Sequence, residues 1–350
     1  MISRRALIVS AASVLALSAV PAAAQTSWGA GVTRDGAIVF CDRVRGTVWR
    51  IDRDGRRTQA IDGVTCHAVA TGLDSEVLGE ATPMDVTTTR GVGVWRLNPT
   101  GHGEWLQPPT LAPVARAWIA RDAESRSYLW EGVGSGSATS VILRQDPTGV
   151  RVELAGGARG HKDDVGSNAA FNNVTGIAAA PDGSVLVIDD GSIRRISRTG
   201  SVTTEAAGVV TDSHIGLINA PGLWAREIGI AADRNSEAVV VDPAAGRVVH
   251  VDRQGRAVEM WSPGGWSQRV TGGRWGWRPS GVAVLGRTYY VVDEWIGPAL
   301  IADIVGSPRV MQVDDQGHVT RIGSVPGWTV RIGGGLLLVV LISLIFRRKK

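Results

Sequence analysis

Six short apolar runs in this chain end on or beside an acid: Asp42, Glu80, Glu131, Asp189, Asp242 and Asp293. Carboxylates recurring in this way can do two kinds of work. Each can accept backbone N–H groups from the turn that follows it, or several together can ring a cation. Repetition in every unit favours the structural role, since a site seldom needs six equivalent groups. Histidine adds little to this. His67 stands at the entry to an apolar run, His161 and His214 fall within long connections, and His102, His250 and His318 sit in or beside strands and turns. There is no HExxH pair or other metal-ligand spacing, and no Gly-x-Ser-x-Gly nucleophile elbow. Lys162 is the single lysine between residues 25 and 330, so Schiff-base chemistry has little footing.

Cysteine and tryptophan offer two further sets. Cys41 and Cys66 fall at the same rim of neighbouring units and are expected to form a disulfide in an oxidising compartment, with two unpaired core thiols as the alternative. Thirteen tryptophans stand against three Phe and three Tyr. Trp49 and Trp95 hold equivalent positions in successive units and read as core. Trp261, Trp266, Trp275, Trp277 and Trp295 instead gather around one junction, with Gly264-Gly265 and Gly272-Gly273 among them. They either pack beneath a long loop or line a groove, where an indole offers a flat apolar face and an N–H.

What must position these groups is a repeat. Six stretches align on a turn glycine: T-V-W-R-I-D-R-D-G (47–55), G-V-W-R-L-N-P-T-G (93–101), V-I-L-R-Q-D-P-T-G (141–149), S-I-R-R-I-S-R-T-G (192–200), R-V-V-H-V-D-R-Q-G (247–255) and R-V-M-Q-V-D-D-Q-G (309–317). Three residues before each glycine stands Asp52, Asn98, Asp146, Ser197, Asp252 or Asp314, all side chains that hydrogen-bond a turn's own backbone. The glycine supplies the left-handed position that closes the hairpin. Apolar β-branched runs flank these turns, and the unit is four short strands that cannot bury both faces alone. The period is that of propeller blades, and the fold expected is all-β: a six-bladed β-propeller over residues 25–324.

The stretch F-N-N-V-T-G-I-A-A-A-P-D-G-S-V-L-V-I-D-D-G-S-I-R-R-I (171–196) resembles the NHL repeat and, more loosely, the gluconolactonase/regucalcin group of propellers. The resemblance covers 168–208 well and 229–255 fairly. It implies strand-end acids that accept N–H groups from their own turns. In gluconolactonase-like propellers it also implies a divalent cation at the channel mouth, held by Glu, Asp and Asn. The residues that align at this mouth are Trp28, His67, Arg116, Asn173, Glu227 and Arg278. Asn173 and Glu227 are the candidate metal ligands, but Arg116 and Arg278 crowd the ring and suit an anionic ligand better. The cofactor expectation is therefore none, with a divalent cation such as calcium as the lesser alternative.

Long connections (156–172, 209–226, 262–278, 81–91, 132–139 and 294–308) all fall at one end of such a propeller, which marks that end as the functional one. The termini read as targeting segments. Arg4-Arg5, an apolar run and Ala22-Ala23-Ala24 describe a signal peptide over 1–24. A linker (325–331) leads to an apolar segment (332–346), read as a transmembrane or sorting helix, and a basic tail (347–350) read as cytoplasmic. As a helix, this segment spans ~22 Å, short of a ~30 Å hydrocarbon core. The basic residues of the two ends account for the formal charge of +4; without these seven, residues 25–330 carry −3, which argues against nucleic-acid binding.

These features together predict an exported, membrane-anchored, monomeric propeller, a binding module for an envelope protein or glycan. The alternative is a metal-dependent hydrolase or lactonase of the gluconolactonase type.

Overall fold

A computed structural model describes residues 30–325 apart from 34, 43–45, 72–76, 84–92, 99, 108–116, 123, 133–138, 212–227, 264–275 and 297–307. The strands of blade 1 are β1 (Ala30–Val32), β2 (Ile38–Asp42), β3 (Thr47–Ile51) and β4 (Arg57–Asp62). Blade 2 has β5 (Val64–Thr71), β6 (Val77–Pro83), β7 (Gly93–Leu97) and β8 (Gly103–Gln107). Blade 3 has β9 (Ala117–Arg121), β10 (Ser127–Gly132), β11 (Thr139–Gln145) and β12 (Arg151–Ala158). Blade 4 has β13 (Val174–Ala179), β14 (Val185–Asp189), β15 (Ser192–Ile196) and β16 (Val202–Ala206). Blade 5 has β17 (Ile230–Ala232), β18 (Ala238–Asp242), β19 (Arg247–Val251) and β20 (Ala257–Trp261), and blade 6 has β21 (Gly276–Leu285), β22 (Thr288–Ile296), β23 (Arg309–Val313) and β24 (Val319–Ser324).

Each blade is an antiparallel sheet of four consecutive strands. The innermost strands β1, β5, β9, β13, β17 and β21 touch one another in turn, and β21 returns to β1, so the ring closes without a borrowed strand. Burial follows radius. Inner β13 is buried throughout and outer β20 is exposed over Ala257–Glu259. Crowding near the axis selects small residues, and Ala178, Ala231, Ala232 and Ala283 are wholly buried there. At Gly176 a Cβ would come within 2.6 Å of the Ile228 carbonyl, so no larger residue fits. Between blades 1 and 6, Ala30, Val32 and Phe40 pack on Ala283, Tyr290 and Val292.

The six repeated turns share one geometry. In each, the residue three before the glycine exchanges backbone hydrogen bonds across the turn, as in Gly55 N–H to Asp52 O (2.9 Å) and Gly317 N–H to Asp314 O (3.1 Å). Every turn glycine has φ between 77° and 92°. The Asp and Asn side chains also accept N–H groups: Asp252 Oδ1 takes those of Gln254 and Arg256, and Asn98 Oδ1 takes those of Thr100 and His102.

These bonds have a pH consequence. The Thr148 side chain on Asp146, the Arg256 N–H on Asp252 and the His318 N–H on Asp314 hold the three carboxyls below their usual 3.8. The unfolded chain then binds more protons than the folded one near pH 4, so the stability these groups supply is complete above that pH and lost below it. Asn98 performs the same turn without a charge. The combined variant Asp146→Asn, Asp252→Asn, Asp314→Asn is therefore expected to fold and to lose less of its thermal midpoint on acidification from pH 5 to pH 3 than the parent. Equal losses would refute the assignment.

Cys41 and Cys66 form a disulfide with Cα atoms 5.5 Å apart. It sits in the core between blades 1 and 2, among Val39, Val48, Val69 and Trp95. Trp95 is fully buried there and Trp49 packs against the core shared with blade 6.

The membrane anchor is corrected. Among the described residues no helix is long and apolar enough to cross a membrane. The segment at 332–346, which lies outside the described residues, is itself short for a bilayer core. The leader at 1–24 lies outside the described residues as well.

Candidate binding face at the looped end of the propeller

The inner strands begin, and the second strands end, at one rim of the ring. Asp42, Glu131, Asp189, Asp242 and Asp293 occupy this rim, each paired with the first residue of the next strand or its equivalent: Thr47, Val141, Ser192, Arg247 and Arg309. Blade 2 breaks the series. Gly93 holds the matching place, eight residues before its turn glycine, and pairs with Ala81, whereas Glu80 pairs with Val94. Glu80 is thus one residue out of register. Among the described side chains the acid ring has five members.

Their partners are structural. Asp189, wholly buried, accepts the N–H groups of Asn172 (2.9 Å) and Asn173 (2.8 Å) on Oδ1 and Arg194 Nη1 (2.8 Å) on Oδ2. Arg194 also donates to the carbonyls of Ala170 (2.6 Å) and Lys162 (2.7 Å) and to Asp163 Oδ1 (2.8 Å), and its guanidinium lies 4.7 Å from the centre of the Phe171 ring. One buried ion pair therefore pins the whole 159–173 connection. Asp242 accepts from Thr211 N–H (3.1 Å) and its hydroxyl (2.9 Å) and from Ala245 N–H (3.1 Å). Asp293 takes two donors of Arg309 at 2.9 and 2.6 Å; burial pushes its carboxyl up to about 7 while Arg309 pulls it down.

The expected channel-mouth set is only partly assembled. Trp28, Arg116 and Glu227 lie outside the described residues, and of His67 only the backbone is described. His67 stands at the bulge of β5 between Cys66 and Ala68. Thr175 and Ser280 hold the bulges of β13 and β21, so His67 corresponds to these residues and not to Asn173 and Arg278. Asn173 is half-buried, with its N–H on Asp189. Arg278 directs Nη1 to the Ala244 carbonyl at 3.1 Å. Calcium takes six to eight oxygens. Among the described side chains of this set Asn173 offers one and Arg278 brings a cation, which does not fit that ion.

The tryptophan cluster is resolved by pairing. Trp277 and Trp295 lie within strands of a long β21–β22 hairpin and not in loops, directly opposite one another. Their rings meet edge to face, 5.8 Å between centroids at 80°. The Arg309 guanidinium stacks 3.7 Å from the Trp277 centroid while holding Asp293. Both indoles are half-buried, at the looped rim. Trp261 ends β20 and packs on the main core. Trp266 and Trp275 lie outside the described residues.

One residue at this rim carries chemistry that spacing did not reveal. His161, 41% exposed, places Nδ1 3.2 Å from the buried Asp189 Oδ2. Neighbouring Arg159 donates to Asn172 Oδ1 at 2.9 Å, and Asn172 to Asp190 Oδ2 at 2.6 Å. The sequence held a faint signal: the acid that ends β14 is followed five residues later by an arginine, and His161 lies in the connection before that blade.

The fold is a six-bladed β-propeller, an architecture also found among gluconolactonase- and regucalcin-like proteins. A gluconolactonase from Xanthomonas campestris matches it with a TM-score of 0.50 at 14% identity, over 79% of this chain and 85% of the other. A calcium-binding regucalcin from Agrobacterium tumefaciens gives 0.46 at 14% identity, over 78% and 86%. A virginiamycin B lyase from Staphylococcus aureus gives 0.45 at 13%, over 88% and 86%. At such identities the likeness is one of fold. No protein-family model matches the chain, and no curated protein does.

Proposed function

We propose that the propeller is a binding module whose looped rim takes a glycan or a protein partner. The observation that carries this is the Trp277–Trp295 pair, two indoles set edge to face and held by Arg309 on a rigid hairpin. Rigid, partly buried indoles supply apolar area at small entropic cost, and the C–H face of a sugar or an apolar side chain stacks on their exposed edges. Purified protein titrated with neutral and acidic oligosaccharides, and with peptides bearing aromatic or acidic side chains, reports binding through tryptophan fluorescence. Trp295→Ala is expected to weaken it by about 2 kcal/mol, roughly thirtyfold. Undiminished binding by Trp295→Ala and Trp277→Ala would overturn the reading.

A second reading, hydrolysis of a lactone, is favoured by the His161–Asp189 pair, which sets an imidazole against a buried carboxylate at the same rim. Hydrolysis of simple lactones that is lost in His161→Gln would support it. No turnover with calcium, magnesium or zinc present would remove it.

A further inference from the structure

At the opposite, tight-turn end, blades 3 and 5 share one turn and differ in where its charges stand. D-A-E-S-R (122–126) joins β9 to β10, and D-R-N-S-E (233–237) joins β17 to β18. The backbones correspond bond for bond. Asp122 N–H reaches Arg126 O at 3.0 Å and Asp233 N–H reaches Glu237 O at 2.9 Å. Ser125 and Ser236 return to the Asp carbonyls at 3.1 and 2.9 Å, with φ of 60° and 63°. Both aspartates are 4% exposed.

In blade 3 donors surround the buried acid. Asp122 Oδ2 accepts Arg126 Nε at 2.6 Å and the Tyr128 hydroxyl at 2.8 Å. In blade 5 the arginine's place is taken by Glu237 and the tyrosine's by Val239. His250 stands opposite Val239, as Arg144 stands opposite Tyr128. His250 Nε2 lies 3.4 Å from Asp233 Oδ2 and 3.2 Å from Glu237 Oε2. A single Nε2 proton therefore faces two carboxylates, and both separations exceed the ~2.9 Å of an ordinary N–H···O bond.

We propose that Asp233, Glu237 and His250 form a binding site for a divalent transition-metal cation, with zinc the best match. The three donor atoms lie within 4.8 Å of one another. Zinc bonds of ~2.0–2.2 Å in tetrahedral array place neighbouring ligand atoms about 3.3–3.6 Å apart. The two distances from Nε2, 3.2 and 3.4 Å, lie at or beside that range, and the two carboxylates offer oxygens within 4.8 Å of each other. Asp233 is held ready for it: Oδ1 accepts the N–H groups of Asn235 and Glu237, both at 2.8 Å, and this leaves Oδ2 directed at the cluster. Side-chain exposures of 23% at His250 and 18% at Glu237 leave a way in from solvent and room for water as fourth ligand. An imidazole nitrogen with two carboxylates suits zinc or cobalt, whereas calcium and magnesium call for more oxygens. At Asp233 Oδ2 the cation takes the place that Arg126 Nε holds at Asp122 Oδ2.

The test is titration of the untagged full chain with Zn2+ by calorimetry and with Co2+ by visible absorption, after chelator treatment and dialysis. The expected result is one equivalent bound, with the spectrum of nitrogen/oxygen-ligated cobalt. Glu237→Gln and His250→Gln each weaken binding at least roughly tenfold, as loss even of a supporting group does. Glu237→Arg rebuilds the blade 3 arrangement, so it is expected to fold, to melt no lower than the parent and to lose the metal. Absence of stoichiometric binding in the parent, or binding undiminished in the folded Glu237→Arg variant, would overturn the proposal. Neither result bears on the looped rim at the other end.

Discussion

Replacing Arg194 with methionine destabilises the propeller by about 3–5 kcal/mol, the cost of leaving a buried charge without its partner. Arg194 and Asp189 are both wholly inaccessible to solvent. Methionine fills much of the same volume against Phe171 but abandons Asp189, Asp163 and the carbonyls of Ala170 and Lys162. In a chain of this size the thermal midpoint should fall by roughly 10 °C. Adding Asp189→Asn to Arg194→Met should recover part of the loss, because the amide oxygen still accepts the N–H groups of Asn172 and Asn173 while the stranded charge is gone. Denaturant melts of the three proteins measure both effects. A change under 1 kcal/mol for Arg194→Met would mean that water reaches Asp189 and the pair is not a core element.

Removing the disulfide is the second large effect. Cys41 and Cys66 close a loop of 25 residues, and opening it in the paired variant Cys41→Ala, Cys66→Ala is expected to cost about 3–4 kcal/mol through the entropy of the unfolded chain. The cysteines are 3% and 2% exposed, so reductant should not reach the bond in the folded protein. A mass gain of two hydrogens is expected only when reduction is carried out under denaturing conditions. Two free thiols in the denatured, unreduced protein, or a double variant as stable as the parent, would contradict the prediction.

How far the sequence reached depended on the distance over which each feature is set. The turns at Gly55, Gly101, Gly149, Gly200, Gly255 and Gly317 are decided by three or four neighbouring residues, and all six lie where the spacing put them. Register across strands was harder. Glu80 reads as the acid of blade 2, yet the pairing of Ala81 with Gly93 moves it one step out of line. The bulge at His67 similarly detaches that residue from Asn173 and Arg278, because an inserted residue leaves no mark in an apolar pattern. Trp277 and Trp295 fall within the connections 262–278 and 294–308 when the sequence alone is read, although the hairpin extends through both. His161 and Asp189 are distant in sequence, as are Asp233 and His250, and no local period brings such pairs together.

By itself, the sequence determined the fold class, the number of blades, the six glycine turns and the end of the ring where the long connections gather. Each of these follows from short-range propensity repeated six times, and repetition makes a weak local preference decisive. Only the tertiary structure decided which acids are bound to arginine, which indoles face each other, and where a histidine meets one carboxylate or two. Those contacts depend on strand register and on the order of strands within each sheet. Both are set when whole blades pack against their neighbours, because the free energy of burial is shared among residues that no window of the sequence contains.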